Sequence, residues 1–183
     1  MLFRGTELDG LIDKKYYLKN SNDAREFGFV YEMDFRENYL FNSNYKSRLG
    51  EDVGHKFYSA PMYGMIFNKQ WQPSLKEIFQ DLADKNNYPM YIHCSHGIDR
   101  TGTVTFLLQS ILGVDDESKN EQYLYSKYLF KETTLEHMYS IYGGLDAYQG
   151  KNTNEKVIDF LKSDVGVTQE EIDSIRNILL ESD

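Results

Sequence analysis

Short apolar segments alternate with amphipathic ones along the first two thirds of the chain, and helical spacing of apolar residues dominates the rest. Strands are predicted at residues 2–4, 27–35, 56–60 and 88–93. Helices are predicted at residues 74–85, 100–112, 116–130, 132–142, 152–163 and 168–181. This order of elements predicts an α/β fold with a helical C-terminal part.

Two predicted helices begin with a capping box, in which a hydroxyl residue is followed three positions later by Glu. These pairs are Ser74 with Glu77 and Thr168 with Glu171. Residues 61–73, ahead of the first of these helices, carry large apolar side chains without periodicity. We interpret them as a loop that either packs over a site as a flap or plugs the edge of the core.

The only cysteine lies where a predicted buried strand ends and a predicted helix begins. Residues 93–102 read His-Cys-Ser-His-Gly-Ile-Asp-Arg-Thr-Gly, so Cys94 precedes Arg100 by six positions. A strand–loop–helix unit gathers backbone N–H groups and the positive end of the helix around one point. Such a place binds a phosphate dianion and favours a thiolate. The pattern predicts a nucleophilic Cys94 and an Arg100 that grips phosphate oxygens.

The other residues of this segment receive supporting roles. Thr101 can donate a hydrogen bond to the sulfur. Asp99 is the candidate general acid and base, because the upstream loop over 61–73 is the competing place for an acid and residues 56–76 contain no carboxylate. The alternative for Asp99 is a structural carboxylate that organises the loop. The phosphate cradle is predicted to consist of Ser95, His96, Gly97, Ile98, Asp99 and Arg100.

Three further residues are candidates for a supporting shell. We expect His93 to be buried and to orient the loop through a backbone contact, although a core histidine without a tuning role is the alternative. Asp34 and Arg36, at the end of an earlier predicted strand, could line the site. Their alternative is an ion pair on the surface or in the interior.

Length, charge and residue counts limit the classes of protein to which the chain can belong. The 183 residues suffice for one domain with a sizeable core. The net charge of −9 disfavours a nucleic-acid partner. One cysteine excludes an intrachain disulfide, and the four histidines show no ligand spacing, so we expect neither metal nor cofactor. Without an apolar run of roughly 20 residues or a signal peptide, we expect no membrane insertion and a cytoplasmic location, with leaderless secretion as the alternative.

The His93-Cys94-x5-Arg100-Thr101-Gly102 segment resembles the signature loop of the cysteine-dependent protein tyrosine phosphatase superfamily. With Asp inside the loop, it is more similar to the bacterial and lower-eukaryote-type, dual-specificity-like family. Further likeness is found at residues 3–8, 33–36, 107–114 and 166–176. The resemblance implies a three-layer phosphatase fold, a central mixed sheet flanked by helices. It also implies a single phosphatase domain over residues 1–183 that lacks a short N-terminal segment of the family.

The resemblance further implies hydrolysis of phosphotyrosine through a phosphocysteine on Cys94, with release of inorganic phosphate. Substrates would be phosphorylated proteins or small phosphomonoesters, with phosphoserine, phosphothreonine or phosphoinositides as additional classes. Ile98 departs from the Lys of members active on phosphoinositides, which disfavours polyphosphorylated inositols. Tyr63, Phe67 and Trp71 are candidates for the pocket wall.

Two other functions stay open on the sequence. An RNA 5′-phosphatase of the same superfamily carries His at the place of His96, although the acidic charge and Asp99 argue against it. A non-catalytic phosphate-binding pseudophosphatase is the second, and the intact Cys94 and Arg100 argue against it.

Overall fold

A computed structural model describes residues 1–19, 24, 26–37, 45–128 and 134–180. Its centre is a four-stranded sheet in the order β1-β4-β2-β3. The strands are β1 (Leu2–Gly5), β2 (Tyr31–Asp34), β3 (Gly54–Phe57) and β4 (Met90–His93). The α/β class is confirmed.

The sheet differs from the prediction in one respect. All three strand pairs of the described sheet are parallel, whereas a mixed sheet was expected. Parallel pairing requires that each connection crosses back to the starting end of the sheet, and the long connections between these strands permit it. Residues 38–44 of the loop predicted over 38–54 lie outside the described residues. So do residues 129–133, which include the end of the helix predicted over 116–130 and the start of the one predicted over 132–142, and residue 181 of the last predicted helix.

Six α-helices accompany the sheet in the described residues. They are α1 (Gln72–Ala83), α2 (Asp99–Ile111), α3 (Asp116–Leu124), α4 (Glu136–Leu145), α5 (Thr153–Phe160) and α6 (Gln169–Leu179). Both halves of the capping box at Thr168 and Glu171 are present, as predicted. None of the helices in the described ranges is long and apolar enough to cross a membrane.

The predicted start of α1 at Ser74 is wrong. The helix begins at Gln72, Pro73 occupies its first turn, and the preceding Trp71 makes no side-chain cap. Proline suits a first helical turn, where its missing N–H would have no partner. The apolar face was predicted correctly, because Leu75, Ile78, Phe79 and Leu82 are all fully buried.

The segment predicted as a loop over 61–73 contains two short 3-10 helices, Tyr63–Phe67 and Lys69–Trp71. Ile66 is fully buried, and the ring of Phe67 packs edge-on against Phe160 of α5. The segment therefore closes the edge of the core. Tyr63, the first residue of the first 3-10 helix, contacts the start of α2 instead.

The carboxyl ends of the parallel strands meet at one edge of the sheet. In the register of the sheet, Gly5 of β1 and Asp34 of β2 both lie beside His93 of β4. The loop that follows β4 leads directly into α2. Open parallel sheets bind ligands at this edge, and the candidate residues collect there.

Candidate active site

The loop from Cys94 to Ile98 connects the central strand β4 to the first turn of α2. Cys94 is 4% exposed. The loop ends without a side-chain cap on the helix, since Ile98 at the N-cap offers none. Among the described residues, several backbone N–H groups of this segment donate to no protein acceptor, and they belong to Ser95, Gly97, Ile98, Asp99 and Arg100. Unused donors at the positive end of a helix suit an anion.

Arg100 occupies the second position of α2 and is partly buried. Its guanidinium makes no hydrogen bond or ion pair with any part of the chain that the structure describes. Five N–H donors are therefore available for an anion from outside the protein, and a fork of this shape matches two phosphate oxygens.

Thr101 follows Arg100 and is fully buried. Its hydroxyl has no hydrogen-bond partner within the described chain. A buried hydroxyl without a partner carries a desolvation cost. The hydrogen bond to the Cys94 sulfur that the sequence predicted is therefore not formed among the described residues, and this role of Thr101 stays a prediction.

Gly97 brings the loop into close contact with the N-terminal strand. Its φ of 71° lies in the left-handed region, and a Cβ there would stand 2.2 Å from the carbonyl oxygen of Gly5. Arg4 fixes the same point, because its Nη2 donates to the Gly97 carbonyl at 2.8 Å. The Glu7 N–H donates to the Ser95 carbonyl at 3.1 Å. The N-terminal segment therefore holds the loop from one side.

A buried ion cluster anchors that N-terminal segment. Arg36, fully buried, pairs with Asp34 at 2.6 Å, Asp9 at 2.7 Å and Glu7 at 2.8 Å. Glu7 in turn accepts hydrogen bonds from the N–H groups of Ile12 and Asp13. Asp34 and Arg36 thus form an interior ion pair behind the loop, the alternative that the sequence left open for them.

His93 joins this cluster to the loop. The ring is fully buried; Nε2 lies 2.8 Å from Oε1 of Glu32, and Nδ1 lies 3.1 Å from the carbonyl oxygen of Cys94. Both partners can only accept hydrogen bonds, so the imidazole must carry both N–H groups to make them. The backbone contact expected of His93 is present.

The pKa values agree with a charged His93. Burial alone would lower the pKa of His93, but the charge of Asp34 and the hydrogen bond and charge of Glu32 raise it to about 9. Burial would raise the pKa of Asp34, yet His93, His55 and Arg36 lower it to about 2. His93 is therefore an imidazolium held between the Glu32 carboxylate and the Cys94 carbonyl oxygen.

Asp99, the first residue of α2, faces two tyrosines. The Tyr63 hydroxyl donates to Oδ1 of Asp99, and the hydroxyls of Tyr63 and Tyr123 lie 2.6 Å apart. For Tyr63, burial first and then the hydrogen bonds to Asp99 and Tyr123 raise the pKa well above its usual range. The phenol therefore stays protonated and acts as the donor to the carboxylate.

The structure assembles the segment from His93 to Thr101 at one place and leaves some candidates elsewhere. Phe67 packs against Tyr148 and Phe160 on α5 and the residues before it, rather than on the loop, so its predicted place in the pocket wall is wrong. Sequence reasoning overlooked Glu32 as the partner of His93. Arg4 was included only in the family likeness at residues 3–8 and was given no role of its own. The Arg-Gly-Thr-Glu-Leu run of residues 4–8 was the sequence signal that could have indicated its contact with the loop.

Comparisons with known proteins agree with this geometry. The tyrosine phosphatase family matches residues 29–181. A protein of Meyerozyma guilliermondii with the provisional name tyrosine-protein phosphatase OCA1 is 36% identical over 52 residues, which is 28% of this chain and 28% of that protein. The match thus spans little more than a quarter of that relative. The family match covers most of the chain, and the chain belongs to the tyrosine phosphatase family.

Proposed function

We propose that the chain hydrolyses phosphotyrosine in proteins through a phosphocysteine on Cys94. One observation carries the proposal: Arg100 lies six residues after a cysteine, is partly buried and has no partner among the described residues. Several N–H donors at the same helix start also have no acceptor among them. Family membership supports the same activity. Arg100 would hold two phosphate oxygens while the backbone of residues 95–100 accommodates the rest.

The first step transfers the phosphoryl group to sulfur. The Cys94 thiolate attacks phosphorus, the bond from phosphorus to the phenolic oxygen breaks, and the leaving oxygen takes a proton from the Asp99 carboxyl group. In the second step the Asp99 carboxylate takes a proton from water as the water oxygen attacks phosphorus. The sulfur–phosphorus bond breaks, inorganic phosphate leaves, and the thiolate returns with help from the Thr101 hydroxyl.

The substrate class follows from the lining of the loop. Ile98 is apolar and 6% exposed, so it offers no cation for a second phosphate. We therefore place phosphorylated proteins and simple aryl phosphates ahead of polyphosphorylated inositols. Phosphoserine and phosphothreonine are secondary substrates on this proposal, and the chemistry needs no cofactor.

The direct test is hydrolysis of p-nitrophenyl phosphate in EDTA, with wild type beside Cys94→Ser and Asp99→Asn. Turnover that survives EDTA and disappears in Cys94→Ser supports the thiolate mechanism. A trapped phosphoryl group in Asp99→Asn, seen by mass spectrometry after rapid quenching, would identify the phosphocysteine.

Two further substrates separate the competing functions. Faster turnover of a phosphotyrosine peptide than of its phosphoserine counterpart supports the proposal. Release of phosphate from triphosphorylated RNA at a higher kcat/KM than from the phosphotyrosine peptide would favour the RNA phosphatase. A wild-type chain that binds phosphate but never turns it over would be a pseudophosphatase.

A further inference from the structure

Tyr63 contacts the first turn of α2 through both its side chain and its backbone. Its hydroxyl donates to Oδ1 of Asp99, and its backbone N–H donates to Oγ1 of Thr103 at 2.8 Å. Thr103 in turn donates to the carbonyl oxygen of Asp99 at 2.8 Å. Two independent connections therefore link one residue of a 3-10 helix to the residue proposed as the acid and base.

The backbone of Tyr63 is held in an unfavourable conformation. Its φ of 52° makes it the one non-glycine residue with a left-handed backbone in the described chain. Such a conformation is unfavourable for a residue with a side chain and persists only where the surroundings fix it. Here the Thr103 bond and stacking of the ring on His137, with centroids 4.9 Å apart, provide that restraint. A strained residue that contacts a candidate catalytic group indicates a functional constraint.

A second tyrosine extends the contact. The Tyr123 hydroxyl lies 2.6 Å from that of Tyr63, which forms a chain from Tyr123 through Tyr63 to Asp99. Gly102 makes room for it, because a Cβ at this position would stand 3.2 Å from the Tyr123 ring. Hydrogen bonds in such a chain reinforce one another in an interior of low dielectric constant.

We propose that Tyr63, supported by Tyr123, is the positioning residue that orients the Asp99 carboxyl group for proton transfer. This inference rests on the proposed function. Tyr63 occupies Oδ1, so Oδ2 is the oxygen left for the leaving group and then for water. The phenol touches the carboxyl group and not the phosphate, which Arg100 and the loop backbone hold.

Because Tyr63 contacts the carboxyl group and other groups hold the phosphate, its proposed role makes a specific prediction. Loss of the phenol impairs proton transfer and leaves phosphate binding intact. Proton transfer matters most when the leaving oxygen is basic, and it matters least when the leaving group departs as a stable anion. The defect must therefore grow with the basicity of the leaving group.

The experiment compares Tyr63→Phe with wild type on aryl phosphates, from 2,4-dinitrophenyl phosphate through p-nitrophenyl phosphate to phenyl phosphate. We expect kcat/KM to fall roughly 10- to 100-fold for phenyl phosphate, a part of the 10²- to 10⁴-fold that general acid catalysis contributes. The loss for the dinitrophenyl ester should be under about threefold, and the inhibition constant for inorganic phosphate should not change. Asp99→Asn should show the same trend more steeply, and Tyr123→Phe more weakly.

Tyr148→Phe is the matched control. It also removes a tyrosine-to-aspartate hydrogen bond, from the Tyr148 hydroxyl to Asp164 at 2.9 Å, but this bond is solvent-exposed and neither residue belongs to the loop or to α2. We expect it to behave as wild type on every ester. Thermal melting of each variant reports whether the fold is retained.

Several outcomes separate the inference from the proposed function. An equal loss on all three esters, or no loss, in a folded Tyr63→Phe variant overturns the positioning role. Absence of the trend in Asp99→Asn also overturns it, because the acid would then lie elsewhere, while turnover that depends on Cys94 would leave the phosphatase proposal standing. Wild-type turnover that persists in Cys94→Ser would instead overturn the proposed function itself.

Discussion

Two arginines of this chain occupy opposite environments. Arg36 is fully buried and pairs with three carboxylates, whereas Arg100 has no partner among the described residues. A guanidinium whose N–H donors already have protein partners can only fix the structure around it, and Arg36 fixes the N-terminal segment that holds the loop. A guanidinium with free donors can bind a ligand. The arginine that we propose as the phosphate ligand therefore differs from Arg36 in having no partner among the described residues.

Arg100→Lys should therefore be costly although it keeps the charge. Lysine offers a point charge in place of a planar fork and cannot hold two oxygens in fixed geometry. We expect kcat/KM for p-nitrophenyl phosphate to fall about 10²- to 10³-fold, the usual loss for a donor to the transition state. Arg176→Lys is the control, since Arg176 donates to the carbonyl of Ile111 at the opposite end of α2 and pairs with Asp173 of its own helix. A loss under about tenfold in Arg100→Lys would contradict the assigned role.

For single residues, the sequence grouped those that lie close together along the chain and missed the contacts between residues that lie far apart. Cys94, Asp99, Arg100 and Thr101 lie within eight positions, so one motif placed them together. The contacts of Glu32 with His93 and of Tyr63 with Asp99 join residues 61 and 36 positions apart. No spacing rule links such pairs, because the sheet register and the 3-10 helix bring them together only in the folded chain.

The loop after β4 depends on the close approach of two glycines. Gly97→Ala adds a Cβ that would stand 2.2 Å from the Gly5 carbonyl oxygen, so the loop must move away from β1. We expect p-nitrophenyl phosphate turnover to fall at least about 10²-fold, because a displaced cradle no longer fits the phosphate. The change is measured as kcat/KM beside the melting temperature.

Gly113→Ala provides the matched control for that loop. Gly113 has a similar φ of 82°, but nothing lies within 4 Å of an added Cβ. It should lose stability, by roughly 1–2 kcal/mol for the left-handed backbone, and keep its activity. Equal activity of the two alanine variants would show that the approach to Gly5 has no role in the cradle.

The capping box at the start of α6 predicts an effect confined to stability. Thr168→Ala removes the acceptor for the Glu171 N–H, which stands at 3.1 Å. We expect a loss of about 1 kcal/mol, or about 2–4 °C in Tm, with unchanged turnover. Glu171→Gln should lose less, because glutamine also completes a capping box. A melting temperature unaffected by Thr168→Ala would contradict the cap.

The type of each helix and strand was predicted better than the residues at which it begins and ends. The strand at residues 56–60 was expected too late, since β3 spans Gly54–Phe57, and the strand at 27–35 was expected too long, since β2 spans Tyr31–Asp34. Aromatic residues at these positions suit strands but also pack in loops. Pairing partners, which the sequence does not display, decide where each strand ends.

The whole molecule should be most stable at mildly acidic pH. The pKa of His93 is raised from 6.5 to about 9. Its contribution to the free energy of unfolding is therefore complete below pH 6.5 and is lost as the pH rises towards 9. The pKa of Asp34 is lowered from 3.8 to about 2, so its contribution is complete above pH 3.8 and is lost as the pH falls towards 2. For His93 the raised pKa corresponds to a contribution of roughly 3 kcal/mol to the free energy of unfolding.

Urea unfolding measured from about pH 5 to about pH 9 tests this dependence. Wild type should lose stability over the alkaline part of that range. Glu32→Gln removes a hydrogen-bonded charge partner of His93, so it should be less stable at about pH 5 and show a flatter decline. A wild-type profile that is flat between these limits would mean that His93 is neutral in the folded protein.

The attachment of the N-terminal strand has a consequence for local opening. Among the described strands β1 lies at the edge of the sheet and pairs with β4 alone, and edge strands commonly fray at little cost. Here the residues just after β1 connect to the loop through Glu7 and to β2 through Arg36. In native-state hydrogen exchange, the amides of β1 and β2 should therefore exchange as one cooperative unit. The proposed phosphate cradle, which Glu7 and Arg4 hold from the side of β1, should then open together with that unit.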